Sequence, residues 1–313
     1  MKVKVFIDGS SGTTGLRIAD RLAERPEIEL LSISAEGRKD VHERAKVINS
    51  ADLAFLCLPD AASKEVMPLL RPDVKVLDTS TAFRTDAAWD YGFPELKGQK
   101  AKIQNSYRVA VPGCYASGFI SIARPLVELG LAPADYPFSC TGISGYSGGG
   151  KKMIAEYESA DRPAHSKLDA PKSYGLGLAH KHLPEMQKIS GLAHTPMFVP
   201  VVCDYYCGMQ VLVPLDLTLA GSTAEQVAEG IAAYYKDAAT VKVHALNETL
   251  PENGLYSNAM AGTDRMELYM TVNAAGDQMM LVSLFDNLGK GSSGAAVQCM
   301  NLMLGLEETE GLE

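Results

Sequence analysis

The chain has 313 residues, of which 46% are hydrophobic and 21% charged, and its formal net charge is −9 at pH 7. This length suffices for a large core and predicts two domains. An acidic chain without a long basic stretch lacks the electrostatic footprint of a nucleic-acid-binding protein. No apolar run approaches the roughly 18 residues that would indicate a membrane span. The sequence therefore disfavours nucleic-acid and membrane partners.

Cysteine usage indicates a reducing compartment. The six cysteines are scattered and lack the spacing of a disulfide framework. No signal-peptide pattern follows Met1. We therefore expect a cytoplasmic protein.

A nucleotide-binding pattern opens the chain. Residues 2–8 read as a strand, residues 9–15 as a glycine-rich turn, and the apolar residues of 16–23 fall on one face of a helix. This arrangement binds the diphosphate of a dinucleotide through backbone N–H groups, although the spacing here is G-x-x-G-x-x-G instead of G-x-G-x-x-G. The predicted cofactor-binding residues of the turn are Gly9, Ser10, Ser11, Gly12, Thr13, Thr14 and Gly15.

The end of the second predicted strand, residues 29–33, indicates which dinucleotide binds. An acidic residue at this place would hold the ribose 2′-hydroxyl of NAD. Ser34, Arg38 and Lys39 instead offer a hydroxyl and two cations, which suit the 2′-phosphate of NADP. Glu36 leaves NAD open. The sequence favours NADP.

The strand and helix pattern predicts an α/β fold. Further near-continuous apolar strands at 52–58 and 75–78 indicate a doubly wound, Rossmann-type parallel sheet with ligands at the carboxyl ends of its strands. Strands of a mostly antiparallel second sheet are predicted at 197–202, 210–218, 241–245, 265–272 and 279–285, with a helix over 223–236. The expected domains are an NADP-binding domain over 1–113, a catalytic and oligomerisation α+β domain over 114–285, and a C-terminal helix within 286–313.

Cys114 is the candidate nucleophile. It follows a strand-like run and precedes residues 118–130, whose apolar positions have helical spacing. Unpaired backbone N–H groups and the helix dipole at such a start favour a thiolate. The alternative is a buried, inert cysteine.

Two histidines are candidates for proton transfer. His180 and His182 precede a helix start that Pro184 predicts. In extended backbone both side chains would reach one site, whereas in a helix only one would lie near Cys114. We favour His182 as the acid/base group, with His180 as the alternative.

Zinc is a competing use of the same histidines. Together with Cys203 and Cys207 they would supply four ligands. The residues between the two cysteines include Tyr205 and Tyr206 and look like a strand. No metal site is therefore predicted.

The loop at 144–152 is a candidate anion site. Its glycines and serines offer backbone donors, and two lysines follow them. The spacing does not match a P-loop. The predicted substrate-binding residues here are Ser144, Ser147 and Lys151.

Three stretches, residues 9–15, 111–116 (VPGCYA) and 286–296 (DNLGKGSSGAA), give the chain a resemblance to the N-acetyl-γ-glutamyl-phosphate reductase family in its shorter form. The resemblance covers essentially the whole length. The related aspartate-semialdehyde dehydrogenases usually carry Asn-Cys-Thr or Asn-Cys-Ser, which Gly113-Cys114-Tyr115 does not match. The family commonly has Arg between the two histidines, and Lys181 keeps the charge without the bidentate fork.

The resemblance implies an activity. It is the NADPH-dependent reduction of N-acetyl-γ-glutamyl phosphate to its semialdehyde with release of phosphate, in arginine biosynthesis. Cys114 would form a thioester that accepts hydride, and His182 would handle the proton. The resemblance also places Asn287 near the nicotinamide carboxamide, packs the C-terminal helix on the cofactor domain, and implies a homo-oligomer, either a dimer or a tetramer.

The implied substrate carries a carboxylate and a phosphate into an acidic protein, so local cations are needed. Arg84, just past a predicted strand end, is the leading candidate, with Arg108, Lys151 and His180 secondary.

Two other functions stay open. One is a related enzyme acting on aspartyl phosphate or on an acyl phosphate borne by a carrier protein, as in some lysine pathways. The other is a regulatory protein that binds NADP without turnover.

Overall fold

The computed structural model describes residues 2–313, without the side chain of residue 252. The strands of the described chain are β1 (Val3–Asp8), β2 (Ile28–Leu31), β3 (Leu53–Leu56), β4 (Lys75–Asp78), β5 (Asp90–Tyr91), β6 (Arg108–Ala110), β7 (Ser139–Gly145), β8 (Lys172–Ser173), β9 (Met197–Cys203), β10 (Met209–Asp216), β11 (Val241–Val243), β12 (Met266–Val272) and β13 (Gln278–Phe285). The α-helices are α1 (Thr13–Ala23), α2 (Val41–Ser50), α3 (Asp60–Val66), α4 (Gln99–Asn105), α5 (Cys114–Glu128), α6 (Gly150–Tyr157), α7 (Leu183–Ser190), α8 (Leu217–Ala220), α9 (Ala224–Tyr234) and α10 (Gly294–Leu304).

These elements form two compact units. The first contains residues 2–113 together with Ser292–Leu312, and the second contains Cys114–Gly291 together with Glu313. Among the described helices, none is both long enough and apolar enough to span a bilayer.

The first unit is built on a parallel sheet. Its described strands lie in the order β2-β1-β3-β4-β6-β5, and every neighbouring pair is parallel. Side chains of β1 alternate between two apolar layers, since Val5 and Ile7 pack with α1 and α10 while Phe6 packs with α2 and α3. The sheet is thus covered on both faces, and the predicted doubly wound fold is confirmed.

Helix α10 belongs to the first unit. Its buried residues join the layer that contains Val5 and Ile7. Arg25 Nη1 donates to Asn301 Oδ1 at 2.9 Å, and the Lys75 ammonium donates to the Met303 carbonyl. A π-helical turn, Gly289–Ser293, precedes α10 where the sequence predicts a glycine-rich turn.

The second unit contains a mixed sheet in the order β11-β12-β13-β10-β7-β9-β8. Pairs β7/β9 and β11/β12 are parallel, and the other pairs are antiparallel, so the sheet is mostly antiparallel as predicted. Helix α5 approaches this sheet through Gly118, where an added Cβ would lie 2.6 Å from Val211 Cγ2 and 2.7 Å from Ser283 Oγ. This contact sets the position of the start of α5.

Candidate active site

The glycine-rich turn has the geometry of a phosphate cradle. Gly9 adopts φ +89°, and an added Cβ there would overlap the carbonyl group of Cys57. The Gly12 N–H donates to Gly9 O at 2.9 Å, and α1 begins at the next residue. A Cβ on Gly15 would lie 2.5 Å from Gly9 O. Glycine at 9 and 15 therefore lets the turn pack closely against the residue after β3 and against the start of α1, the tight strand-turn-helix packing on which dinucleotide-binding turns depend.

A cavity of about 350 Å³ lies beside this turn. Ser10, Ser11 and Arg38 line it together with Asp8, and these serines and this arginine supply groups that bind phosphate. Lys39 is exposed and is not among the lining residues. The geometry thus brings Arg38, and not Lys39, to the predicted cofactor residues.

The remaining predicted cofactor residues of this unit have other neighbours. Ser34 Oγ accepts the Gly37 N–H at 3.0 Å and lines an adjoining cavity of about 690 Å³. Thr13 and Thr14 form the first turn of α1, and the Thr14 hydroxyl lies 3.1 Å from that of Ser292. Their roles toward NADP stay predictions.

In the second unit, Cys114 is the first residue of α5 and is partly exposed. Gly291 packs against it, because an added Cβ on Gly291 would lie 3.0 Å from Cys114 Cβ. The Gly291 N–H donates to Asp286 O at 2.9 Å, which holds this backbone in place. Cys114 is thus partly exposed to solvent, lies at a helix start and packs against a backbone that a hydrogen bond holds in place. Exposure and a helix start are conditions under which a cysteine acts as a nucleophile.

Both histidines lie beside Tyr115, the residue after Cys114. Ring centroids are 5.8 Å apart for Tyr115 and His180, and 6.1 Å apart for Tyr115 and His182. The two imidazoles are 4.7 Å apart and nearly perpendicular. The backbone is not extended through the pair: the Leu183 N–H donates to His180 O at 3.0 Å, and His182 precedes α7 with the right-handed helical angles φ −86° and ψ −11°. A turn therefore brings both rings to one place.

The two imidazoles differ in environment. Burial, together with a smaller contribution from the Lys181 charge, lowers the pKa of His180 to about 4. His180 is therefore neutral at pH 7, and its Nδ1 accepts the His182 N–H at 3.2 Å, which leaves the proton on Nε2. His182 is 5% exposed. His180 can donate a hydrogen bond but does not add a positive charge.

Two tyrosines complete this cluster, and sequence reasoning did not identify either as functional. The Tyr174 hydroxyl donates to that of Tyr115 at 3.4 Å, and Tyr115 donates to Val201 O at 3.3 Å. Burial raises the pKa of Tyr174 to about 12, so this phenol stays protonated. The position of Tyr115 next to Cys114 could have indicated that Tyr115 is functional. Tyr174 is about 60 residues away from Cys114 in the sequence, and no pattern there indicates a functional role.

The predicted residues of the 144–152 loop have separate surroundings. Ser144 is buried and hydrogen-bonds the side chain of Tyr115. Ser147 is also buried, and its hydroxyl accepts a bond from Asn287 Nδ2 at 3.0 Å. Lys151 is exposed on α6. The structure brings Ser144, and not Lys151, into the Tyr115 cluster.

Asn287 is fully buried and joins two loops of the second unit. Its Nδ2 donates to Ser147, and its Oδ1 accepts the Gly208 N–H at 2.9 Å. These bonds give the side chain a positioning role within this unit. Contact with the nicotinamide carboxamide stays a prediction.

The two predicted arginines lie at opposite edges of the parallel sheet. Arg84 is buried at the carboxyl edge, where Nε donates to Val111 O and Nη2 donates to Thr79 O, both at 2.9 Å. Its guanidinium braces the loops that follow β6 and β4. Its charge remains at the edge where ligands bind in such sheets.

Arg108 lies at the amino edge of the sheet, away from the edge at which the predicted substrate contact would form. It begins β6, and its guanidinium donates to the carbonyls of Val74, Tyr107 and Arg71. Val74 directly precedes β4, so these carbonyls lie at the amino edge of the sheet. The geometry therefore argues against the predicted contact with substrate, because ligands bind at the carboxyl edge.

Across residues 2–313, no group of three or more His, Cys, Asp and Glu side chains is arranged to hold a metal ion.

Comparison with protein families covers both units. Residues 4–104 match the model described as semialdehyde dehydrogenase, NAD binding domain. Residues 114–287 match the model described as semialdehyde dehydrogenase, dimerisation domain.

Similar curated proteins carry one name. The chain is 46% identical over 320 residues to the N-acetyl-gamma-glutamyl-phosphate reductase of Trichormus variabilis, with 99% of each chain covered. It is 46% identical over 305 residues to the enzyme of the same name from Burkholderia cenocepacia, with 96% of this chain and 97% of the other covered.

Solved structures support the fold. Aspartate semialdehyde dehydrogenase from Francisella tularensis aligns with a TM-score of 0.71 at 15% identity, covering 96% of this chain and 100% of that one. Aspartate semialdehyde dehydrogenase II from Vibrio cholerae aligns with a TM-score of 0.68 at 18% identity, covering 97% and 99%. The resemblance predicted from three motifs is thereby confirmed: the chain belongs to the semialdehyde dehydrogenase family and, within it, to the N-acetyl-γ-glutamyl-phosphate reductases.

Proposed function

We propose that this protein reduces N-acetyl-γ-glutamyl phosphate to N-acetyl-L-glutamate 5-semialdehyde and phosphate, with NADPH as reductant, in arginine biosynthesis. The observation that carries the proposal is the placement of Cys114 as the first residue of α5, followed by Tyr115, which both His180 and His182 contact. The chain is 46% identical to reductases of this name over nearly its full length, which supports the choice of substrate.

Cys114 performs the covalent step. Its thiolate attacks the acyl carbonyl carbon, a C–S bond forms, and the C–O bond to phosphate breaks, which leaves a thioester. NADPH supplies the hydride when bound. With hydride added to the thioester carbon, a thiohemiacetal would form on Cys114. As its O–H proton passes to His182, the C–S bond breaks, which releases the aldehyde and restores the thiolate. A thioester suits this sequence because it accepts hydride far more readily than a carboxylate does.

Backbone N–H groups at the start of α5 stabilise both the thiolate and the oxyanion that develops on the carbonyl. His182 takes the thiol proton and returns a proton to the thiohemiacetal oxygen. His180 is neutral and orients the carbonyl through its Nε2–H. The protonated phenol of Tyr174 holds the Tyr115 side chain in place.

The proposed cofactor contacts follow the cradle described above. The backbone N–H groups of Ser10 and Ser11 hold the diphosphate, Gly9, Gly12 and Gly15 allow the tight packing of the turn, and Arg38 binds the 2′-phosphate. Thr13, Thr14, Ser34 and Lys39 support the same site, and Asn287 positions the loops of the second unit.

For the substrate anions, Arg84 supplies a buried positive charge, Lys151 an exposed one, and Ser144 and Ser147 supply hydroxyl groups. Arg108 is left out because of its bonds at the amino edge.

We also infer a homo-oligomer that assembles through the second sheet. Met197 and Val199 lie on one face of β9 and are 57% and 37% exposed, where a solvent-facing strand would carry polar side chains. The name of the family model matching this unit includes the words dimerisation domain. A Val199→Glu variant should sediment at a lower mass than the wild-type oligomer, and an unchanged mass contradicts this assignment. None of the six cysteines of the described chain forms a disulfide, which supports a cytoplasmic location.

The proposal is tested by trapping the thioester. Protein mixed with N-acetyl-γ-glutamyl phosphate without NADPH should gain an N-acetylglutamyl mass on the peptide containing Cys114, and the Cys114→Ser protein is the matched control. Aspartyl phosphate tests the related-enzyme alternative, and labelling by aspartyl phosphate alone would replace the proposed substrate. Absence of any adduct, with NADP binding intact, would favour the non-catalytic regulator.

A further inference from the structure

A buried ion pair lies at the wall of the cofactor cavity. Asp8 ends β1 directly before Gly9 and is a lining residue of the cavity together with Ser10, Ser11 and Arg38. Arg44, from α2, donates from Nε to Asp8 Oδ2 at 2.8 Å. The side chains of this pair are 4% and 7% exposed. Neither residue belongs to the machinery described above.

An acidic side chain is an unexpected component of this cavity. NADP brings a diphosphate and a 2′-phosphate, and a carboxylate close to them in a poorly solvated place repels them. Protonation of Asp8 is one way to remove the charge, and burial raises the pKa of Asp8 above its ordinary value while Arg44 opposes the rise. A neighbouring cation is the other way, and Arg44 supplies it.

Arg44 is fixed from three sides. Beyond Asp8, its Nη2 donates to Ala62 O in α3 at 3.2 Å, and its Nη1 lies 3.8 Å from the exposed carboxylate of Glu65. Other charged or titratable groups near Asp8 are Arg38, which lines the same cavity, and Asp78, a buried carboxyl aligned with Asp8 across the intervening strand β3. Cys57 is a third, and its thiol stays protonated because burial raises its pKa to about 12. Arg44 is thus the cation that directly contacts Asp8.

We propose that Arg44 neutralises Asp8 and thereby permits NADP to bind in the adjoining cavity. Arg44 is then a positioning residue, which affects cofactor binding without contacting the cofactor. The proposal rests on the cofactor site proposed above. It also explains why a buried ion pair is retained here, where two apolar side chains of similar size would give comparable stability.

The test compares NADP dissociation constants by quenching of intrinsic fluorescence for four proteins: wild type, Arg44→Met, Asp8→Asn and the double variant. Arg44→Met leaves an uncompensated carboxylate and should weaken NADP binding by about tenfold at pH 8. The double variant has neither charge and should return to within about threefold of wild type, since only the pair's net charge matters. A double variant as weak as Arg44→Met would show that Arg44 acts only by bracing Ala62, and it would overturn the proposal.

A pH comparison provides a readout that a structural role would not change. In Arg44→Met, loss of the cation raises the pKa of Asp8 further, so protonation at lower pH removes the repulsion. The ratio of variant to wild-type dissociation constants should therefore fall toward one between pH 8 and pH 5.5. Titration of NADP itself cancels in this ratio. A ratio that does not change with pH contradicts the proposal.

Two controls keep the outcome clear. Circular dichroism verifies that each variant is folded. If Arg44→Met is not folded, Asp8→Asn alone tests the proposal, because it leaves the Arg44 cation without its carboxylate and should tighten NADP binding by severalfold. Unchanged or weaker NADP binding by Asp8→Asn would then overturn the proposal. Failure of wild type to bind NADP would instead refute the cofactor site. Normal wild-type binding with no effect in any variant refutes only the role of Arg44.

Discussion

The backbone N–H of His182 donates to the imidazole Nδ1 of His180 at 3.2 Å. This bond assigns different tasks to the two histidines. His180 accepts at Nδ1 and stays neutral, so it presents an N–H donor from Nε2. His182 directly precedes α7, and we assign the proton transfer to its ring. Two residues of one type, two positions apart, are thereby distinguished by a single hydrogen bond and by burial.

The thiol of Cys114 is the group on which catalysis depends. We expect Cys114→Ser to abolish N-acetylglutamate semialdehyde formation, because a serine hydroxyl with no thiolate character does not form the acyl intermediate. NADP binding should be unchanged, since the glycine-rich turn belongs to the other unit. Stopped-flow absorbance at 340 nm measures the first effect and fluorescence titration the second. Turnover near the wild-type rate would remove Cys114 from the mechanism.

Replacement of each histidine separates their tasks. His182→Ala should lower kcat by roughly 10²–10⁴-fold, the usual effect of losing an acid/base group. His180→Ala should have a smaller effect on kcat and a larger one on KM, because it loses a hydrogen-bond donor to substrate. Steady-state kinetics of both variants gives the comparison. If His180→Ala lowers kcat more than His182→Ala does, the two assignments must be exchanged.

The lowered pKa of His180 predicts a pH dependence of stability. An unfolded histidine titrates near 6.5, whereas the folded group titrates at about 4. Between these values the unfolded chain binds more protons, so the contribution of neutral His180 to the free energy of unfolding is complete above pH 6.5 and is lost as pH falls toward 4. Urea unfolding of wild type and His180→Asn at several pH values should show their difference shrinking on acidification. A difference that stays constant with pH contradicts the prediction.

The glycine cradle predicts a graded pair of variants. Gly9→Ala forces an alanine into φ +89° and against the Cys57 carbonyl, so it should cost about 1–3 kcal/mol of stability from backbone strain and abolish NADP binding. Gly12→Ala is the matched control, since Gly12 has φ −73° and its Cβ would lie 3.3 Å from Gly9 O. It should cost less than about 1 kcal/mol. Thermal unfolding and NADP titration test both. Equal effects would show that space at Gly9 is not the deciding factor.

Local patterns in the sequence predict the elements and the principal chemical groups. Near-continuous apolar strands, separated by helical segments, predict the parallel sheet. The glycine spacing predicts the cradle, and Pro184 predicts the start of α7. Cys114 at a helix start is equally local, because it depends on the residues directly before and after it. Bounds differ by a few residues, as in β2, which spans Ile28–Leu31 where residues 29–33 were predicted.

The order of the elements, the cofactor-binding turn and the nucleophile can therefore be predicted from the chain alone, since each depends on neighbouring residues. The availability of the polar side chains could not be predicted in this way, because it depends on contacts between distant residues. The tertiary structure bonds Arg108 to carbonyls at the amino edge, fixes Asn287 between Ser147 and Gly208, and pairs Asp8 with Arg44. The physical reason is that a buried polar group must find a partner, and folding supplies that partner from distant parts of the chain.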